Sequence, residues 1–219
     1  MSRLNRGLPD ATLLLALFAS LALSACSSLN PFASEPKNKP AELTAITPTA
    51  ELHSNWQASI GGSDGYVLTP AVIGNSVYAA AADGTLARYD NGVQVWRIST
   101  GQPVSGGVGS DGRLVAVGTA KGEVLAFDAA TGKEAWKVRV SSEVLAAPAV
   151  GGDNLVVVRS GDSRIFAFDT DGKRRWVFQR TTPSLSLRSQ VGVALSGRAV
   201  LAGFPGGKLI AVSVANGAA

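Results

Sequence analysis

Trp56, Trp96, Trp136 and Trp176 are the only tryptophans of the 219-residue chain, and they stand 40 residues apart. A fixed period of about 40 residues marks a repeat architecture. The chain must therefore fold by using one small unit several times. Aligned on the tryptophans, the units run over about 67–98, 104–140 and 144–180, and an incomplete fourth unit covers 185–219.

Each unit alternates strand-like runs with turn chemistry. Gly74-Asn75, Asp111-Gly112 and Gly152-Asp153-Asn154 fall at a first turn, and Asp83-Gly84, Lys121-Gly122 and Gly161-Asp162 at a second. Asn91-Gly92, Thr131-Gly132-Lys133 and Asp171-Gly172 fall at a third. Glycine, Asn and Asp tolerate the positive φ that tight hairpins require. Between the turns lie β-rich runs such as Leu114-Val115-Ala116-Val117 and Leu155-Val156-Val157-Val158, and no segment after residue 50 sustains a helical stripe. Three turns join four short strands, so the unit is a four-stranded antiparallel sheet. The fold class is all-β, and sheets of this size repeated at this period fit the blades of a β-propeller, where radial packing leaves only short edges.

A tryptophan once per unit, on the fourth strand, suits a docking role between blades. Its apolar face fills the wedge toward the next blade and its N–H finds an acceptor; ligand stacking is the alternative. Trp56 has no blade of its own, and residues 53–60 read as a lone outer strand that joins the last blade of a closed ring. Propellers have about four to eight blades. The fourth unit stops inside the turn before its tryptophan, so the complete protein is expected to be about twice as long.

The front of the chain reads as an export signal. Arg3 and Arg6 form a positive start, and Ala11 to Leu23 is an apolar stretch, shorter than the roughly 20 residues of a spanning helix. A transmembrane anchor is the competing reading. Leu23-Ser24-Ala25-Cys26 resembles the lipobox of bacterial lipoproteins, which implies removal of residues 1–25 and acylation of Cys26, with a membrane held through the lipid. Cys26 is the only cysteine, so no disulfide forms within the chain. Residues 26–50, with Pro31, Pro36, Pro40 and Pro48, read as a flexible tether. The formal charge of +4 includes a basic spot at Lys173-Arg174-Arg175 and Arg180, with no nucleic-acid module around it.

Nothing in the pattern carries catalysis. His53 is the sole histidine and has no cysteine or second histidine to share a metal with. Asp83, Asp111, Asp128, Asp153, Asp162 and Asp169 sit at repeated turn positions, where carboxylates cap backbone N–H groups. The reading is a non-enzyme with no catalytic residue, metal or cofactor.

The element from Ala126 to Trp136, Ala-Phe-Asp-Ala-Ala-Thr-Gly-Lys-Glu-Ala-Trp, resembles the repeat of the pyrroloquinoline-quinone (PQQ)-like propellers, which implies about eight blades in the whole protein. With the lipobox, the tether, Leu52-His53-Ser54-Asn55-Trp56 and Pro183-Ser184-Leu185-Ser186-Leu187-Arg188, the chain resembles the BamB family of outer-membrane protein assembly lipoproteins. That resemblance implies a periplasm-facing scaffold on the outer membrane, bound to the POTRA domains of the BamA insertase within the Bam complex. It carries no reaction, and unfolded outer-membrane proteins are further candidate partners. Leu185, Leu187 and Arg188 match the family's insertase-binding positions. Two leucines two apart face one side of an extended stretch, and the guanidinium can clamp a carboxylate at the rim. By pattern alone, both leucines also fit as inward residues of the fourth blade's first strand. The alternative function is a quinoprotein dehydrogenase, which requires calcium ligands, a catalytic Asp and often a second cysteine.

Overall fold

The computed structural model describes residues 41–47, 49–51, 53–151, 154–181 and 189–219. All of its strands lie in the compact unit Ser54–Ala219. The first sheet comprises β1 (Ala71–Ile73), β2 (Ser76–Ala80), β3 (Thr85–Asp90) and β4 (Val93–Ser99). The second comprises β5 (Gly109–Ser110), β6 (Leu114–Gly118), β7 (Glu123–Asp128) and β8 (Glu134–Arg139). The third comprises β9 (Ala149–Gly151), β10 (Leu155–Arg159), β11 (Ile165–Asp169) and β12 (Arg174–Phe178). The last has three strands, β13 (Val193–Ser196), β14 (Ala199–Phe204) and β15 (Lys208–Ser213). Strands follow chain order within every sheet and each neighbouring pair is antiparallel, so the molecule is a partial β-propeller of hairpin-connected blades.

The core is divided among the blade interfaces. Tyr78, Leu86, Val104, Val115 and Leu125 fill the space between the first and second blades. Val124, Val144, Val156, Phe166 and Phe168 fill the second interface, and Leu155, Val157, Ile165, Val200 and Val212 the third. Both faces of a middle blade are therefore apolar, which is why β6 and β10 read as unbroken hydrophobic runs instead of alternating ones. Each fully buried Val or Leu contributes about 1.5–3 kcal/mol relative to exposure. Stability in such an array is a sum over neighbouring pairs.

The same β-bulge recurs in each complete blade. Trp96 pairs with Arg88, Trp136 with Ala126 and Trp176 with Ala167, and the register slips immediately after each pair. Val95, Ala135 and Arg175 are the extra residues. A bulge bends the strand and sharpens its twist, and here it aims every indole across the interface.

Residues 53–60, expected as a lone outer strand, form no ladder. Among the described strands none pairs with it. The stretch is instead held by its carbonyls, with Arg97 donating to Ser59 (3.2 Å) and Ile60 (2.8 Å); just beyond it, the Ala82 amide donates to Gly62 (2.9 Å).

Candidate docking surface

Each tryptophan lies on a glycine of the following blade. Trp56 covers Gly92, Trp96 covers Gly132, Trp136 covers Gly172 and Trp176 covers Gly217, so closely that an added Cβ would stand 2.6–3.0 Å from the ring. The indole N–H of Trp96 donates to the Ala129 carbonyl (3.0 Å), that of Trp136 to Thr170 (2.7 Å) and that of Trp176 to Val214 (2.8 Å). Trp56 stacks on Tyr89 with ring centroids 6.1 Å apart. Residue 56 thus takes, against the first blade, the place that each later tryptophan takes against the blade after it.

The interfaces carry polar fasteners as well. Ser105 donates its buried hydroxyl to the Val144 carbonyl at 2.8 Å. Arg88, at the position occupied by Ala126 and Ala167 in the next two blades, donates to both carboxylate oxygens of Asp90 (2.8 and 2.7 Å) and to the Ala129 carbonyl (3.0 Å). Its guanidinium holds the Asp90 carboxyl below the usual carboxylate range, and the Asp90 hydrogen bond in turn raises the Arg88 pKa.

Turn aspartates cap backbone amides. Asp83 accepts from the Thr85 amide (2.8 Å), Asp111 from Arg113 and Leu114 (both 2.9 Å), Asp128 from Thr131 (2.7 Å) and Asp169 from Asp171 and Lys173. These bonds lower the Asp83 and Asp128 pKa values, with the Thr85 amide and the Thr131 hydroxyl the largest causes. His53 is exposed and its Nε2 lies 3.6 Å from the Glu51 carboxylate. Among the described residues, no three His, Cys, Asp or Glu side chains gather as a metal-ligand set. No described helix is long and apolar enough to cross a membrane.

Cys26, Leu185, Leu187 and Arg188 lie outside the described residues. Their surroundings are partly described. The connection from the outermost strand of the third blade to the innermost strand of the fourth takes 14 residues, 179–192, where 100–108 and 140–148 each take 9. It is the longest of the three blade-to-blade connectors, and its described flanks, Arg180, Thr181 and Ser189 to Val191, are half-buried or exposed. Next to its far end is a shallow pocket lined by Arg159, Ser160, Ser163, Ser189, Val191 and Pro205. Arg159 stands out only when the registers of the four blades are compared.

A ladder of small antiparallel sheets, each locked onto the next by one indole, defines a repeat scaffold of the β-propeller class. The family model described as outer membrane protein assembly factor BamB matches residues 82–219. The chain is 44% identical over 200 residues to the outer membrane protein assembly factor BamB of Bordetella pertussis, covering 90% of this chain and 51% of that one. It is 38% identical over 203 residues to the Burkholderia pseudomallei protein of the same name, covering 91% and 52%. The crystal structure of BamB from Moraxella catarrhalis superposes with a TM-score of 0.64 at 31% identity, over 69% of this chain and 46% of that one. The chain belongs to the BamB family of outer membrane protein assembly factors, and it spans about half the length of the relatives it matches.

Proposed function

We propose that the protein is a non-enzymatic scaffold of the outer-membrane β-barrel assembly machinery. It is anchored in the outer membrane through lipid on Cys26, faces the periplasm, and holds the POTRA domains of the BamA insertase while outer-membrane proteins are assembled. Residues 26–50 give the propeller its reach from the membrane. Leu185 and Leu187 supply apolar contact and Arg188 a guanidinium for an acidic residue of the insertase.

The observation that carries this reading is the family match, since the relatives are named for outer-membrane protein assembly. The lengthened connector at 179–192 supports the assignment of the contact to its residues. A repeat stacks its blades without those extra residues at the two earlier junctions, so blade packing gives no reason for them.

Co-purification of BamA with the full-length protein tests the reading. Leu187→Glu and Arg188→Glu are expected to lose most of the captured insertase while circular dichroism stays that of the unmutated propeller. Undiminished capture by both folded variants refutes the assignment. Cys26→Ala is expected to move the protein from the membrane fraction to the soluble periplasm, and retention at the membrane refutes lipid anchoring.

A further inference from the structure

The register places Ala80 opposite Leu86, Gly118 opposite Val124 and Gly203 opposite Leu209, and at the matching place in the third blade Arg159 stands opposite Ile165. Three blades thus keep a small residue where the third carries a guanidinium. Close packing gives a reason at Gly118, where a Cβ would come within 2.2 Å of Val144, whereas at Gly203 it would meet nothing within 4 Å. It gives none for an arginine.

The Arg159 side chain crosses to the fourth blade. Its Cζ lies 5.1 Å from the centroid of the Phe204 ring, and Nη1 reaches the Val191 carbonyl only at 3.4 Å, the long limit of a hydrogen bond. Among the described residues no carboxylate pairs with it. The nearby Asp162 accepts from the Ser160 hydroxyl and pairs with Arg164 at 3.2 Å. Burial lowers the Arg159 pKa. A half-buried cation stacked on one face and short of acceptors at its edge is a poor stability device and a good receptor for a carboxylate. Ser163 and Ser189 line the same pocket, which lies beside the lengthened connector.

We propose that Arg159 is an additional basic anchor of the protein-docking surface, receiving an acidic side chain of the docked protein in the pocket between the third and fourth blades. The assignment rests on the docking role given above. A carboxylate fits because it accepts two parallel N–H bonds from the free edge of the guanidinium while the ring face stays on Phe204.

The test uses the full-length protein and the purified periplasmic domains of the insertase as the probe, with Arg159→Met and Arg159→Lys. Arg159→Met keeps the apolar stem against Phe204 and deletes the charge. Binding is expected to weaken on the order of tenfold or more, while the melting temperature is unchanged or higher because an unpaired, desolvated charge is gone. Arg159→Lys retains charge without the fork and is expected to fall between the two. Binding by Arg159→Met within about twofold of the unmutated protein overturns the assignment, as does a melting temperature that falls together with binding, which marks a structural clamp. Failure of the unmutated protein to bind the domains overturns the docking role itself.

Discussion

Gly172 and Gly206 have the same φ, +81°, but different neighbours. An added Cβ at Gly206 meets nothing within 4 Å, whereas at Gly172 it stands 2.9 Å from both Cγ and Cδ2 of Trp136. The pair separates the cost of a left-handed conformation from that of displacing an indole. An alanine in that conformation costs about 1–2 kcal/mol, which is the whole expected effect of Gly206→Ala. Carbon atoms rest about 3.5–4.0 Å apart, so Gly172→Ala must push Trp136 outward by roughly 0.6 Å or more. The ring has little freedom to yield, because its N–H is bonded to Thr170 at 2.7 Å and its face meets Phe168 at a centroid distance of 6.1 Å. Overpacking of this kind adds about 1–3 kcal/mol. Gly172→Ala is therefore expected to destabilise by about 2–5 kcal/mol, and the excess over Gly206→Ala is the contact with Trp136. Urea unfolding of full-length variants, compared by midpoint and slope, measures both. In a Trp136→Leu background the Gly172→Ala cost should drop toward the Gly206→Ala value. Equal costs for the two glycines in the unmutated background refute the indole-on-glycine account of blade docking.

Trp136→Ala should cost about 3–5 kcal/mol by opening a cavity in the second interface. Trp136→Phe should cost less, with about 0.5–1.5 kcal/mol of it from the lost N–H bond to Thr170; equal losses in urea melts would count against the packing role. Acid is expected to destabilise the propeller. Arg88 lowers the Asp90 pKa, the Thr131 hydroxyl that of Asp128 and Lys137 that of Glu123. A depressed folded pKa gives stability that is complete above the ordinary carboxylate pKa of about 4 and is lost as pH falls through the folded value. Thermal melts should be level from neutral pH down to about 5 and decline below about 4, with a shallower decline in Asp90→Asn, Asp128→Asn double variants. A decline of unchanged steepness in the double variant would refute the linkage.

Much of the architecture was legible because it is local. Asn91-Gly92, with φ of +50° and +85°, makes a two-residue turn between β3 and β4. Turn residues at repeated intervals similarly predict the hairpins and so the sheet order. The bulge beside each tryptophan was not legible, because Val95, Ala135 and Arg175 share no chemistry that marks an inserted residue. Nor was the mode of attachment of residues 53–60, which depends on the Arg97 side chain reaching two distant carbonyls. For the proposed docking surface, the sequence singled out the stretch around Leu185, Leu187 and Arg188 by resemblance and by the slip in period. It gave Arg159 no prominence, since one arginine at a strand end is unremarkable until registers from four blades are laid over one another.

By itself, the order of residues determined the period, the hairpins, the tryptophans that join neighbouring blades and the family. Those properties depend on backbone preferences over a few residues and on a spacing repeated along the chain. Tertiary structure alone decided which surfaces each blade offers its neighbours: which glycine lies beneath which indole, and which carbonyl accepts its hydrogen bond. Such facts follow from residues about 33–41 positions apart being brought into contact. Sequence separation does not encode that contact until the sheets twist and pack.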